Sequence, residues 1–187
     1  MLASRSPRRH ELLLAAGLAE VTVEPSTAGE SNDASAGLPA LVLANARVKA
    51  TDVAARHPGS VVLGADTLVW LEGRPLGKPV DLAAARAMLS RLSGRVHEVC
   101  TGVSLVRLEP RLQIEFHETT RVRFRNLDEQ LIGAYLSKVD VLDKAGAYAL
   151  QEHGEMIVES VEGSRSNVVG LPVERTLAAL RRFAEQE

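Results

Sequence analysis

Little in this chain suits it to a membrane, a disulfide scaffold or a nucleic-acid surface. Its 187 residues include one cysteine, Cys100. No internal disulfide can form, and a reducing compartment is expected. No apolar run approaches the ~20 residues that span a bilayer. Arg5 brings charge before any long apolar segment, so no signal peptide is expected and the expected location is cytoplasmic. Aromatics make up 3% of the chain, too few for the stacking platform of a single-strand binder. The formal net charge is −2, which argues against a generally basic nucleic-acid surface. Any anion site must therefore be assembled locally. Zinc-type spacing is missing as well. "HELLL" and "HEVCT" lack the second histidine of an HExxH motif, and the five histidines follow no ligand pattern.

What is present is an ordinary globular composition, 45% hydrophobic and 25% charged. It fits a single domain over residues 1–187, built as one or two lobes. Apolar spacing predicts a helix over 7–17, with Ser6 as N-cap, Pro7 at its first position and Gly17 as C-cap. "AEVTVEP" alternates and predicts a short strand. Residues 26–37 are small and polar, a loop, and 38–56 form a long helix. "SVVLGADTLVWLEG" reads as a buried strand of a mixed or parallel sheet. "GRPLGKP" is turn-rich. "DLAAARAMLSRLSG" is a helix between an Asp81 N-cap and Gly94. Segments 96–108 and 112–125 alternate about Glu109-Pro110 and predict a long hairpin. A helix over 128–138 capped by Asp128, a strand over 155–161 and a closing helix begun near Pro172 complete the order. Strands and helices mixed in this way indicate an α/β (mixed α+β) fold.

Four stretches carry candidate chemistry. In "SRSPRR", Arg8 and Arg9 occupy a first helical turn, where the helix dipole disfavours cations by up to about 1 kcal/mol each. A bound polyanion reverses that sign, because free N–H groups, the dipole and both guanidiniums then act together. The hydroxyls of Ser4 and Ser6 add donors. Pairing with Glu11 or simple solvation accounts for the arginines equally well. In "VVLGADT", Asp66 and Thr67 follow an apolar strand, where α/β folds collect functional groups. A carboxylate there holds Mg²⁺ or orients a water, or it merely satisfies a turn. "GRPLGKP" is not a Walker motif, since Pro79 stands where a hydroxyl is required. It leaves Lys78 as a phosphate contact or a solvated lysine. In "DKAGAYALQ", Lys144 precedes small residues that permit close backbone approach, and the Gln151 amide suits a base edge. Cys100 reads as packed rather than nucleophilic, and His97 as a strand or turn histidine.

Together, "LASRSPRRHELL", "GADTLV", "GKP", "MLSRLSGRVHEVCTGV", "DKAGAYALQ" and "SNVVGLP" resemble the Maf family of nucleoside triphosphate pyrophosphatases. The resemblance runs in order from residue 2 to about residue 183; six ordered motifs make it specific where one would not. It implies a fold similar to inosine triphosphate pyrophosphatases, with a mixed sheet flanked by helices and a central cleft between two lobes. It implies hydrolysis of a nucleoside triphosphate to the monophosphate and pyrophosphate, with a divalent metal (Mg²⁺ or Mn²⁺) and often a homodimer. Arg8, Thr67 and Gln151 match the subgroup acting on dTTP and UTP rather than the 7-methyl-GTP subgroup. The resemblance places the catalytic acid at Asp66, catalytic cations that would neutralise the leaving pyrophosphate at Arg9, Lys49 and Lys78, and substrate contacts at Ser4, Ser6, Arg8 and Lys144. Its loop carboxylate falls on Glu30, where Gly29-Glu30 replaces the usual Asp-Glu. Asp66 with Glu30 would hold the metal or take the proton of the attacking water, and Thr67 with Gln151 would contact the base. The family's link to septum formation leaves a second reading, a regulatory binding module, against which the acidic net charge argues where DNA is the partner.

Overall fold

A computed structural model describes residues 1–185. Among these residues six α-helices and five strands follow one another as α1 (Pro7–Ala15), α2 (Leu38–Ala54), β1 (Val62–Leu71), β2 (Arg74–Leu76), α3 (Leu82–Leu92), β3 (Val96–Leu108), β4 (Arg111–Phe124), α4 (Glu129–Leu136), β5 (Val158–Glu162), α5 (Arg165–Val169) and α6 (Val173–Ala184). The mixed α/β class expected from the sequence is the observed one. The strands form a five-stranded sheet in the order β2-β1-β3-β4-β5. The chain divides into two compact units, the first made of Met1–Thr67, Thr101–Glu118 and the chain from Gly170 onward, the second of Leu68–Cys100 and Thr119–Val169.

In the first unit, Leu2, Leu13, Leu63, Ala65, Val103, Leu105, Leu171, Ala179 and Phe183 form one core cluster. Ala3, Ala50, Val53, Ala54, Val62 and Val106 form another. Helix α2 comes unusually near the strands, and two glycines permit it. A Cβ on Gly64 would stand 2.2 Å from the Ala46 carbonyl oxygen, and one on Gly102 would stand 2.5 Å from that of Val42. No side chain fits at either position, so the helix backbone seats directly on β1 and β3.

In the second unit, a larger core gathers Val69, Leu71 and Leu76 with Leu89 and Leu92 of α3, Val99, Phe124, Ile132 and Tyr135 of α4, and Tyr148. Asp81 and Asp128 cap α3 and α4 as expected, accepting from the Ala84 and Leu131 amides at 2.7 Å each. β2 pairs antiparallel to β1, Val69 opposite Leu76. β5 pairs antiparallel to β4 with a bulge at Arg123/Phe124.

Several expectations need correction. "AEVTVEP" does not form a strand; Val23 makes one parallel bridge to Leu2, which also bridges Leu63. Only the short N-terminal segment is available as its neighbour, so the alternation has no ladder to join. Ser6 precedes α1, but its side chain makes no capping bond; its own amide donates to Ser4 Oγ at 3.1 Å. α1 stops at Ala15, two residues earlier than expected, with Ala16 as its cap and Gly17 following in the left-handed region as the terminating glycine. The apolar run of β1 reflects burial of its first five residues; Leu63 among them bridges Leu2 in parallel, while Val69–Leu71 pair antiparallel with β2, so the strand has neighbours of both kinds. "GRPLGKP" contains β2, and a turn at Gly154–Met156 delays the last strand to Val158. The short helix α5 had no helical signal in the sequence.

Candidate active site

Asp66 does not follow β1 as the sequence suggested: it is the fifth residue of the strand, next to Thr67 where the first unit's stretch ends, and it is 6% exposed. Burying a carboxylate is costly unless its oxygens are paired. Here both are. Lys49 Nζ donates to Oδ1 at 2.8 Å, and Asn45 Nδ2 donates to Oδ2 at 3.0 Å. Asn45 and Lys49 lie four residues apart on α2, hence on one face one turn apart. The helix face reaches Asp66 because Gly64 and Gly102 let α2 seat closely on the strands. Lys49 also meets Glu30 Oε1 at 2.9 Å, so two carboxylates converge on one ammonium. Glu30 itself is largely exposed, its side chain at 54%.

Arg9 is a buried cation close to the same residues. It is 9% exposed, and its guanidinium donates to the Gly170 carbonyl at 2.8 Å, the Ala65 carbonyl at 2.9 Å, Ser4 Oγ at 3.1 Å and Thr67 Oγ1 at 3.0 Å. Burial lowers its pKa, the Asp66 and Glu30 carboxylates oppose that, and neighbouring Arg8 adds to it. An arginine in this setting stays charged, since its ordinary pKa lies far above neutrality. The same bonds tie the first turn of α1 to the middle of β1 and to Gly170. Thr67 Oγ1 is further bonded to Thr101 Oγ1 at 2.9 Å and to the Gly170 carbonyl at 3.2 Å. Arg8 follows Pro7 in the same turn and is half-buried, as is Ser6.

The remaining sequence-selected residues belong to the second unit and are described there. Lys78 and Gln151 are exposed. Lys144 is buried except for 7% of its side chain. It donates to the Asp140 carbonyl and to Asp143 Oδ1, the latter at 2.9 Å, with Glu152 Oε1 at 3.5 Å. Beneath that segment, His97 Nε2 and Tyr148 Oη are 2.8 Å apart. His97, Phe124 and Tyr148 meet edge to face with centroids 4.9–5.4 Å apart. Burial holds the His97 pKa down at about 4.

The first unit thus brings together Ser4, Arg9, Glu30, Lys49, Asp66 and Thr67. Sequence reasoning missed Asn45 and Thr101. Its only signal for Asn45 was a polar residue four positions before Lys49 on an otherwise apolar helix face. Thr101 gave no signal within its alternating strand. For a divalent cation the donor set is two hard carboxylates already directed at one positive centre. Among the described residues no group of three or more His, Cys, Asp or Glu is placed to hold a metal. That combination does not make an all-protein cage. It fits a Mg²⁺-like ion, which takes one or two carboxylates and completes its shell with substrate phosphates and water.

Comparison with known proteins bears on this geometry. The family model described as Maf-like protein matches residues 1–183. The chain is 49% identical over 180 residues to a dTTP/UTP pyrophosphatase of Akkermansia muciniphila, covering 96% of this chain and 94% of that one. It is 49% identical over 183 residues to a dTTP/UTP pyrophosphatase of Myxococcus xanthus, covering 97% and 91%. It is 46% identical over 184 residues to one of Symbiobacterium thermophilum, covering 98% and 93%. No helix among the described residues is long and apolar enough to cross a membrane.

Proposed function

The chain belongs to the Maf-like protein family, and from that premise we propose that it hydrolyses dTTP and UTP to the nucleoside monophosphate and pyrophosphate. The observation that carries this reading is the convergence of Lys49, Asp66 and Glu30, with Arg9 donating to the carbonyl of neighbouring Ala65 in the same strand. The near-complete match to relatives named as dTTP/UTP pyrophosphatases supports the substrate class.

The proposed chemistry follows from the charges. A water attacks the α-phosphorus, a new oxygen–phosphorus bond forms, and the bond from the α-phosphorus to the bridging oxygen breaks. Asp66 orients the water and accepts its proton. Arg9 and Lys49, with Arg8 and Lys78, counter the negative charge that grows on the departing pyrophosphate. Asp66 and Glu30 are the residues that would hold a divalent cation, Mg²⁺ or Mn²⁺, whose chemistry is to neutralise phosphate oxygens and polarise the phosphorus. Ser4 and Ser6 add hydroxyl donors to the phosphates. We assign Thr67, Lys144 and Gln151 to the nucleoside end. Thr67 acts there through the network it shares with Arg9 and Thr101, and Gln151 through its exposed amide.

A panel of triphosphates with separate detection of pyrophosphate and orthophosphate tests the reading. The expected result is pyrophosphate release with dTTP and UTP favoured over GTP and 7-methyl-GTP. Preference for 7-methyl-GTP would overturn the substrate assignment, and orthophosphate as the product would overturn the reaction.

A further inference from the structure

Asn45 is a buried amide inside a helix, 3% exposed, and it has no local reason to be there. Asparagine is among the weaker helix formers, and an unsatisfied buried amide is destabilising. Its hydrogen bonds explain the position. Oδ1 accepts from the Ser31 amide at 2.8 Å. The two Nδ2 hydrogens go to the Ser31 carbonyl at 3.1 Å and to Asp66 Oδ2 at 3.0 Å. One planar group thus pairs both backbone polar groups of Ser31 and one oxygen of Asp66.

Ser31 is the residue next to Glu30. The two acids of the cluster are therefore connected in two ways. Lys49 joins Asp66 to Glu30 directly, through a rotatable point charge. Asn45 joins Asp66 to the backbone beside Glu30, through a rigid neutral amide with every donor used. A triphosphate competes for Lys49, because it offers the ammonium a denser negative charge. It does not compete in the same way for an amide whose hydrogens are already committed.

We infer that Asn45 is a positioning residue, which fixes the orientation of the Asp66 carboxylate and the place of the Glu30 loop relative to each other when Lys49 turns to substrate. The inference rests on the pyrophosphatase reading for its kinetic consequence, and on the hydrogen bonds alone for its structural one. Partners that orient ligating carboxylates are worth about 10-fold or more in metal affinity.

The test uses the full chain, Asn45→Leu as a variant of similar size with good helix propensity, and Asn45→Ala as a second. Amide hydrogen exchange of the free protein is followed at residues 28–33. In the wild type the Ser31 amide should be protected; in either variant that protection should be lost while the amides of α2 keep theirs. In steady-state hydrolysis of dTTP, the Mg²⁺ concentration for half-maximal rate should rise about 10-fold. kcat at saturating Mg²⁺ should change much less, a split that simple loss of stability does not give. An unprotected Ser31 amide in the wild type would overturn the inference, and so would an active variant with unchanged Mg²⁺ dependence. If the wild type fails to release pyrophosphate from any triphosphate, the pyrophosphatase reading falls, and exchange at Ser31 alone then decides whether Asn45 clamps the loop.

Discussion

Both oxygens of Asp66 have a partner, one a cation on Lys49 and one a neutral amide on Asn45. That arrangement gives each oxygen of a buried carboxylate a donor, which offsets the cost of burying it. Asp66→Asn preserves the shape and the bond to Asn45 but removes the charge. The expected outcome is a fall in kcat for dTTP of about 100-fold or more, because the proton acceptor is gone. The thermal midpoint should move by only a few degrees. Retained turnover would remove Asp66 from the chemistry. At this scale the sequence was informative where a residue type is rare in its setting. Arg8 and Arg9 stood out as cations in a first helical turn, and Asp66 as an acid in an apolar run, although the strand continues past it to Leu71. The partners of Arg9 were not legible, because three of its four acceptors lie in distant parts of the chain, at Ala65, Thr67 and Gly170. The same distance hid Thr101, whose hydroxyl meets Thr67 across 34 positions.

Helix α2 is the element that assembles the acid cluster, and its approach depends on the missing side chains at Gly64 and Gly102. Gly64→Ala would drive a methyl group to 2.2 Å from the Ala46 carbonyl oxygen. The helix must move, at a stability loss of about 2–3 kcal/mol by the usual range for overpacking. For a chain of this size that lowers the midpoint by roughly 5–10 °C. Because Lys49 and Asn45 ride on the displaced face, kcat should fall with stability, whereas a loss confined to the core would leave kcat intact at temperatures where the variant is folded. In the second unit, β3 carries His97 into the core below the segment that bears Lys144 and Gln151. Its ring is neutral there, held down at about 4 by burial, against an ordinary value near 6.5. Between those values the unfolded chain binds a proton that the folded chain does not. The contribution is therefore complete above about pH 6.5 and is lost as pH falls toward 4, up to about 3 kcal/mol. Urea midpoints at pH 7, 5.5 and 4.5 should show that loss in the wild type and a shallower one in His97→Gln. Parallel losses would contradict a buried neutral histidine. The helices with side-chain caps, α3 and α4, were legible to within two residues because Asp81 and Asp128 mark their starts locally. "AEVTVEP" was misread because alternation indicates a strand only when a neighbouring strand exists to pair with it.

At the scale of the whole molecule, the order of elements and the mixed class were legible from punctuation by caps, turns and apolar periods, each of which is local. The hydrogen bonds that make a site are not local: they link residue 9 to 170, 45 to 31 and 66, and 49 to 30. Family membership supplied the reaction class that these bonds leave unstated. The central claim is that water is activated beside Asp66 to attack the α-phosphorus of a pyrimidine triphosphate. Hydrolysis of dTTP in ¹⁸O-labelled water, with mass spectrometry of both products, tests it most directly. The expected result is one labelled oxygen in dTMP and unlabelled pyrophosphate. Label in pyrophosphate, or release of labelled orthophosphate, would contradict it.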